Sequence, residues 1–137
     1  MKIALERVNK DYLFQATNPN GHQVLLDNKS KTTGEVQGIS PMELILMGVA
    51  GCSSIDIVAI LNKQKINPTS LKMEVEGLRH EGAVPALFYQ IDITIHLEGD
   101  FSAEKAKRAA QLSFEKYCSV SKTLEPTAKI NHHIILN

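Results

Sequence analysis

Residues 40–65 read SPMELILMGVAGCSSIDIVAILNKQK, and this stretch predicts one long helix around which the rest of the chain folds. Ser40 can accept a hydrogen bond from a first-turn amide, and Pro41 suits the first helical position because an N–H has no partner there. Glu43 stands three residues after the cap and completes a capping box. The pair Asn67-Pro68 follows and ends the helix, which we expect to span the quoted stretch.

The middle of this helix carries no polar face. Every residue from Leu44 to Cys52 is apolar or glycine, and most residues from Ile55 to Leu61 are apolar as well. A helix that is apolar all round is either buried in a core or spans a membrane. Ser53, Ser54 and Asp56 interrupt the run before the ~20 residues that a span needs. We therefore expect a long, buried central helix and no membrane association.

Two glycines, Gly48 and Gly51, lie inside the helix just before Cys52. Each costs about 1 kcal/mol relative to alanine in a helix interior. We therefore expect a neighbouring helix or a substrate to approach the helix backbone closely at this point.

Alternation of apolar and polar residues predicts strands on both sides of the helix. The predicted strands are two segments within residues 3–27 around a turn at 17–21, then 71–77, 90–97 and a closing segment at 129–136. Ser102 predicts the cap of a second helix, whose apolar stripe consists of Ala103, Ala106, Ala110, Phe114 and Tyr117. This order predicts an α+β protein with a largely antiparallel sheet, and a length of 137 residues suits a single domain over residues 1–137.

The charge balance argues against two classes of partner. Fifteen Lys and Arg residues match fifteen Asp and Glu residues, so the formal net charge is zero. Nothing therefore draws the chain to nucleic acid or to an anionic membrane surface. The N-terminal residues lack the apolar core of a signal peptide, and two cysteines are too few for a secreted disulfide scaffold. We therefore expect a cytoplasmic protein.

The two cysteines are the candidate catalytic residues. Cys52 lies in the helix interior, about 18 Å from the helix start, where the helix dipole has little effect on its thiol. A buried structural cysteine is the plainest interpretation, and Asp56 one turn later supports it, because a nearby carboxylate disfavours a thiolate unless a cation compensates. Cys118 stands at the end of the second helix in a polar setting. Their wide separation in sequence leaves open whether the two thiols form a working pair or are inert.

No metal ion and no other cofactor are expected. His132 and His133 are neighbours on a strand and point to opposite faces, so they cannot bind one metal together. The remaining histidines, His22, His80 and His96, are scattered along the chain without partners at metal-site spacing.

The segment from Ser40 to Cys52 resembles the central helix of the OsmC/Ohr family, in which a proline stands eleven positions before a reactive cysteine, as Pro41 does here. The segment from Phe114 to Ser121 is similar to the region of the family's second cysteine. The YhfA-like branch of the family fits best. This resemblance implies an OsmC-like fold and an intertwined homodimer with active sites at the subunit interface.

The resemblance also implies a thiol-dependent hydroperoxide reductase. Cys52 would be the nucleophile that attacks an organic hydroperoxide, and Cys118 the resolving thiol that closes a disulfide with it. A dithiol reductant would then restore both thiols. A second hypothesis is a non-catalytic OsmC-like dimer that binds a small apolar ligand in its interface pocket, and a third is a purely structural dimer.

One activating residue of the family's peroxidases is displaced in this sequence. In those peroxidases a glutamate follows the proline directly, whereas Met42 follows Pro41 here and Glu43 comes one residue later. A shift of one residue turns a side chain by about 100° around a helix. The capping box therefore explains Glu43 better than catalysis does.

An activating arginine is also missing from its expected place. The peroxidases take it from the N-terminal region, and this sequence has no arginine between Arg7 and Arg79. His22, Lys29 and Lys31 are the candidate replacements, although a lysine cannot reproduce the two-pronged contact of a guanidinium. We name His22 as a supporting site residue, and we add Glu43 beside its role in the capping box.

Overall fold

A computed structural model describes all 137 residues, which form six strands, three α-helices and one π-helical turn. In chain order the elements are β1 (Ala4–Arg7), β2 (Phe14–Thr17), β3 (Gln23–Leu26), α1 (Pro41–Lys63), β4 (Ser70–Arg79), β5 (Phe88–Glu98), α2 (Ala103–Leu112), the π-helical turn (Ser113–Tyr117), α3 (Ser119–Leu124) and β6 (Lys129–Leu136). This confirms the α+β class. The chain divides into two compact units, Met1–Ile45 and Leu46–Asn137, and the single domain over residues 1–137 stays a prediction.

The N-terminal unit contains a three-stranded antiparallel sheet in the order β1-β2-β3. The predicted turn at residues 17–21 joins β2 to β3, and the side-chain oxygen of Asn18 accepts hydrogen bonds there from the amides of Asn20 and His22. The sequence predicted two strands in this region, but the structure contains three. A second turn precedes β2, because the side-chain oxygen of Asn9 accepts hydrogen bonds from amides two and four residues later.

Asp27 anchors the loop that follows β3. Its carboxylate is buried and accepts hydrogen bonds from the Thr32 hydroxyl at 2.7 Å and from the Gln37 amide at 3.0 Å. The hydrogen bond from Thr32 and then that from Gln37 hold the pKa of Asp27 below its ordinary value. The loop returns to β3 at Gly38, where the backbones pack closely enough that a Cβ would lie 2.8 Å from backbone atoms of Leu25 and Leu26.

The C-terminal unit contains a second three-stranded sheet in the order β4-β5-β6. The alternation predicted for β5 is confirmed, because Ile91, Ile93, Ile95 and Leu97 are buried on one face. β4 and β5 are antiparallel, whereas β5 and β6 are parallel. Two separate sheets and one parallel pair therefore replace the single sheet that we expected. The parallel pair follows from the helical connection between β5 and β6, since parallel neighbours need a long crossover.

The predicted capping box is present at the start of α1. The Ser40 amide donates to Glu43 Oε2 at 3.0 Å, and the Glu43 amide donates to Ser40 Oγ at 3.1 Å. The helix ends at Lys63, a few residues before the predicted stop. Lys65 adopts a left-handed conformation with φ of 60°, and the Ile66 amide then caps the last turn by donating to the Leu61 carbonyl.

Helix α1 is buried on one side only in this chain, so the prediction of a fully buried helix was wrong here. Its buried residues recur every fourth position and are Val49, Ser53, Ile57 and Leu61. The opposite side is an exposed stripe that consists of Met47, Gly51, Ile55 and Ala59. Ile55 is 71% exposed. By length and composition alone α1 could cross a membrane, a test that the core helix of a soluble protein also passes.

Neither glycine of α1 meets a close neighbour within the chain. A Cβ at Gly48 would lie 3.7 Å from Val120 Cγ1, an ordinary contact, and a Cβ at Gly51 would meet nothing within 4 Å. The expected close approach to the helix backbone is therefore absent from the single chain.

The second predicted helix is interrupted. Ser102 caps α2 as expected, since its hydroxyl oxygen accepts a hydrogen bond from the Lys105 amide. α2 ends at Leu112, and the π-helical turn carries the chain to Cys118. A π-helical turn shifts the phase of a helix surface. The predicted apolar stripe is buried at Ala106, Ala110 and Phe114, but its first position, Ala103, is exposed and its last position, Tyr117, is 45% exposed.

Candidate functional site

The fold brings the two cysteines together. Cys52 lies on α1 and is partly exposed, whereas Cys118 is fully buried at the start of α3. Their sulfur atoms lie within 4.8 Å of each other, and both thiols are free. A disulfide requires about 2.05 Å between the sulfurs, so the two atoms must approach by at most about 2.8 Å for the bond to form.

The π-helical turn sets the position of Cys118. The Cys118 amide donates to the Ser113 carbonyl at 2.7 Å, which is the five-residue hydrogen bond of such a turn. Cys118 then caps α3, because its sulfur accepts a hydrogen bond from the Ser121 amide at 3.4 Å. The Ser121 hydroxyl donates to the Cys118 carbonyl at 2.9 Å. Cys118 is therefore held at a junction between two helical segments, and π-helical turns are frequent at functional sites.

Burial raises the pKa of the Cys118 thiol above its ordinary value. Hydrogen bonds from Ser121 partly offset this effect, and the nearby Cys52 thiol raises the pKa of Cys118 further. Cys118 is therefore protonated at neutral pH and closed to solvent. Cys52 is the thiol of the pair that a molecule from solution can reach.

Asp56 is the third member of the cluster, one turn after Cys52 on α1. One of its carboxylate oxygens lies within 4.8 Å of both sulfur atoms. The buried Ser113 hydroxyl donates to Asp56 Oδ2 at 3.2 Å, which ties α1 to the π-helical turn. None of the three ion pairs of the chain, Lys29–Glu43, His96–Glu74 and Lys122–Glu125, includes Asp56. A carboxylate thus lies beside two thiols without a basic side chain of this chain bound to it.

Glu43, a supporting candidate from the sequence, is engaged at the helix cap. Its carboxylate accepts hydrogen bonds from the Lys29 ammonium and from the Ser40 amide. The hydrogen bond from Lys29, and after it that from Ser40, holds the pKa of Glu43 below its ordinary value. Lys29 is therefore the partner of Glu43, and the capping interpretation is confirmed. A catalytic role for Glu43 stays a prediction.

His22 directly precedes β3, next to the hairpin turn. Its amide donates to the Asn18 side chain, and its ring nitrogen Nδ1 lies 3.3 Å from Asn18 Nδ2. These contacts explain His22 as part of the turn, and its supporting role in a site stays a prediction. Lys31 is exposed in the following loop.

Sequence reasoning did not identify Ser113 as part of the cluster. Ser113 falls on what reads as an ordinary helix continuing from Ser102, and its buried hydroxyl contacts Asp56 because the fold packs the start of the π-helical turn against α1. No pattern of neighbouring residues signals this packing.

Comparison with known proteins identifies relatives over most of the chain. A family model described as OsmC-like protein matches residues 32–133. Protein YhfA of Escherichia coli (strain K12) is 38% identical over 120 residues, which cover 87% of this chain and 86% of that protein.

Solved structures share the fold at lower identity. An OsmC-like protein from Mycoplasma pneumoniae superposes with a TM-score of 0.83 at 21% identity, covering 98% of this chain and 95% of that one. The organic hydroperoxide resistance protein OhrB of Bacillus subtilis superposes with a TM-score of 0.68 at 17% identity, covering 98% and 96%. At these identities the likeness concerns the fold alone.

Proposed function

The chain belongs to the OsmC-like family, and we propose that it is a thiol-dependent reductase of organic hydroperoxides, or a related redox protein, with Cys52 as nucleophile and Cys118 as resolving thiol. One observation carries the proposal. The two sulfur atoms lie within 4.8 Å of each other, and only Cys52 is accessible to solvent.

The reaction consumes one peroxide and two thiols. The Cys52 thiolate attacks one peroxide oxygen, the O–O bond breaks, and the alkoxide takes up a proton and leaves as the alcohol. Cys52 is then a sulfenic acid. The Cys118 thiolate attacks that sulfur, hydroxide leaves and takes up a proton to become water, and a disulfide forms. An external dithiol reduces the disulfide by exchange and is itself oxidised.

The apolar surroundings of Cys52 favour an organic substrate over hydrogen peroxide. Gly51 and Ile55 flank Cys52 on α1, and the exposed stripe to which they belong is apolar throughout. The organic hydroperoxide resistance protein that shares the fold is consistent with this substrate class.

The same exposed stripe supports a homodimer. Met47 is 50% exposed and Ile55 is 71% exposed on a helix that has no polar face there. Covering such a surface is favourable by about 25 cal/mol for each Å² of apolar area. A second copy of this chain is the occupant that we propose, and the active sites would then lie at the interface. We place the protein in the cytoplasm, where both thiols stay reduced between turnovers.

A second candidate function has one observation in its favour. No basic side chain of this chain donates a hydrogen bond to Cys52 or forms an ion pair with Asp56, although a reactive thiolate needs stabilisation by positive charge. In a non-catalytic dimer, the apolar surface beside Cys52 would bind a small apolar ligand instead.

Thiol counting separates the two candidates. Reduced protein is mixed with cumene hydroperoxide, and free thiols are counted in the wild type, in Cys52→Ser and in Cys118→Ser. We expect the wild type to lose two thiols, Cys118→Ser to lose one and Cys52→Ser to lose none. Unchanged wild-type thiols over a wide range of peroxide concentration would contradict the redox function and favour the ligand-binding dimer.

A further inference from the structure

The cluster at Cys52 presents three potential metal ligands, and redox chemistry accounts for only two of them, the thiols. The thiol function needs two sulfur atoms, yet Asp56 directs a carboxylate oxygen to within 4.8 Å of both. The sequence predicted no metal because the histidines are scattered. The ligands here are instead sulfur and carboxylate, which the fold gathers from α1 and from the junction before α3.

These ligand types and distances suit Zn²⁺. Zinc binds cysteine thiolates at about 2.3 Å and carboxylate oxygens at about 2.0–2.2 Å in tetrahedral geometry. Such a centre places its ligand atoms about 3.8 Å apart. The three atoms already lie within 4.8 Å of one another, so their separations exceed this spacing by at most about 1 Å.

The surroundings supply the hydrogen bonds that orient metal ligands. Ser113 donates to Asp56 Oδ2, and the Ser121 amide donates to the Cys118 sulfur. Outer contacts of this kind hold ligands in place in known metal sites. Cys52 and Asp56 are partly exposed, so an ion can enter from their side, and one coordination position stays open to water.

Asp56 forms no ion pair within the chain, so no basic side chain of this chain compensates its carboxylate. Thiols that bind a metal lose their protons and become anionic. A divalent cation bound here would compensate the charge of Asp56 together with that of both thiolates.

We propose that Cys52, Asp56 and Cys118 form a reversible Zn²⁺ site whose occupancy excludes oxidation of the two thiols. Binding releases two thiol protons and transfers no electrons. Both sulfur lone pairs that would attack a peroxide or form the disulfide are then bonded to the metal. Metal binding and the disulfide are therefore mutually exclusive states of the same pair. The metal site itself does not depend on the hydroperoxide reductase function.

The first test uses Co²⁺ as a spectroscopic probe on the reduced, metal-free protein. Thiolate ligation gives sulfur-to-cobalt charge-transfer bands in the near ultraviolet, and their intensity scales with the number of thiolates. We expect bands for two thiolates in the wild type, for one in Cys52→Ser and Cys118→Ser, and displacement by Zn²⁺. Unchanged bands in both cysteine variants would place the metal elsewhere and overturn the site.

Zinc affinity, measured by competition with a chelator, tests the carboxylate. We expect Asp56→Asn to weaken binding at least about a hundredfold, since even outer-shell partners contribute about 10- to 100-fold. The matched control Asp100→Asn changes an exposed carboxylate outside the cluster and should bind like the wild type. Wild-type affinity in Asp56→Asn would refute the three-ligand site.

Protection of the thiols by Zn²⁺ tests whether metal binding excludes their oxidation. This test does not require peroxide activity. Zn²⁺ should slow both alkylation by iodoacetamide and disulfide formation by diamide at least about tenfold, and a chelator should restore the original rates. Equal rates with and without bound Zn²⁺ would refute the exclusion of oxidation. If Zn²⁺ protects the thiols against diamide but the metal-free protein does not react with cumene hydroperoxide, the zinc site is supported and the hydroperoxide function is refuted.

Discussion

The sulfur atoms of Cys52 and Cys118 lie within 4.8 Å of each other, with the first thiol partly exposed and the second fully buried. In the proposed function, this asymmetry would set the order of the chemistry. A peroxide from solution would react with Cys52, and Cys118 would attack the oxidised Cys52 from the protein side. The π-helical turn and the cap of α3 hold Cys118 in that position.

Removing the resolving thiol should trap the first intermediate. In Cys118→Ser we expect peroxide to convert Cys52 into a sulfenic acid that persists, because no second thiol is present to condense with it. Labelling with dimedone and mass spectrometry should find one labelled Cys52 in the variant and a disulfide in the wild type. Ser119→Ala, which changes the neighbouring exposed residue, should behave like the wild type. A stable sulfenic acid in the wild type would show that Cys118 does not resolve it.

Disulfide closure should accelerate with pH. Burial raises the pKa of Cys118, and only its thiolate attacks the oxidised Cys52. The rate should therefore rise about tenfold per pH unit through and beyond the range of an ordinary thiol. Stopped-flow measurement of closure after a peroxide pulse gives this profile, and a rate that levels off below the ordinary thiol pKa of 9.0 would contradict it.

Ser121→Ala should slow the same step at neutral pH. Hydrogen bonding by Ser121 lowers the pKa of Cys118 against the effect of burial, so removing the hydroxyl raises that pKa further. A higher pKa leaves less thiolate at a given pH. The closure rate should fall while the reaction of Cys52 with peroxide keeps its rate, and Ser119→Ala should change neither.

The exposed stripe of α1 should control the oligomeric state. Ile55→Glu introduces a charge in the middle of the stripe, and burying an unpaired charge costs several kcal/mol. We expect the wild type to elute as a dimer and Ile55→Glu as a folded monomer in size-exclusion chromatography with light scattering. Leu87→Glu is the control, since Leu87 is 49% exposed on a different segment. A monomeric wild type would refute the proposed dimer.

Gly38→Ala should destabilise the chain. The added methyl group would lie 2.8 Å from backbone atoms of Leu25 and Leu26, which cannot move aside as a flexible side chain can. We expect the free energy of unfolding to fall by about 1–3 kcal/mol, the usual cost of overpacking. Gly34→Ala in the same loop meets no atom within 4 Å and serves as the control in urea unfolding. Equal stability of the two variants would contradict the close packing at Gly38.

Asp27 should make the fold sensitive to acid. Its folded pKa lies below the ordinary value of 3.8, so the ionised carboxylate stabilises the folded state above that pH. This contribution is lost as the pH falls through 3.8 towards the folded pKa. Asp27→Asn should lower the melting temperature at pH 7 and weaken its dependence on acid between pH 5 and pH 3. Asp100→Asn should keep the wild-type profile, and an unchanged profile in Asp27→Asn would exclude Asp27 as the acid-sensitive group.

Part of this fold could be predicted from the sequence, because it depends on interactions between residues that are close together in the chain. The capping box between Ser40 and Glu43 forms between residues three positions apart, so it was predicted and is present. The alternation in β5 reports which face is buried, and that prediction also holds. The extra strand β1 was missed, although Asn9 is a turn former that could have indicated the reversal before β2.

The residue types and order of the chain therefore established the α+β class, the long helix and the two thiols as candidates. The contact between Cys52, Asp56 and Cys118 depended on how α1 packs against the π-helical turn, and so did the role of Ser113. The spacing of residue types along a sequence indicates interactions between residues a few positions apart, whereas this contact joins segments that are far apart in the chain. The one-sided burial of α1 has the same origin, because an apolar helix surface shows that it needs a partner but not which surface covers it.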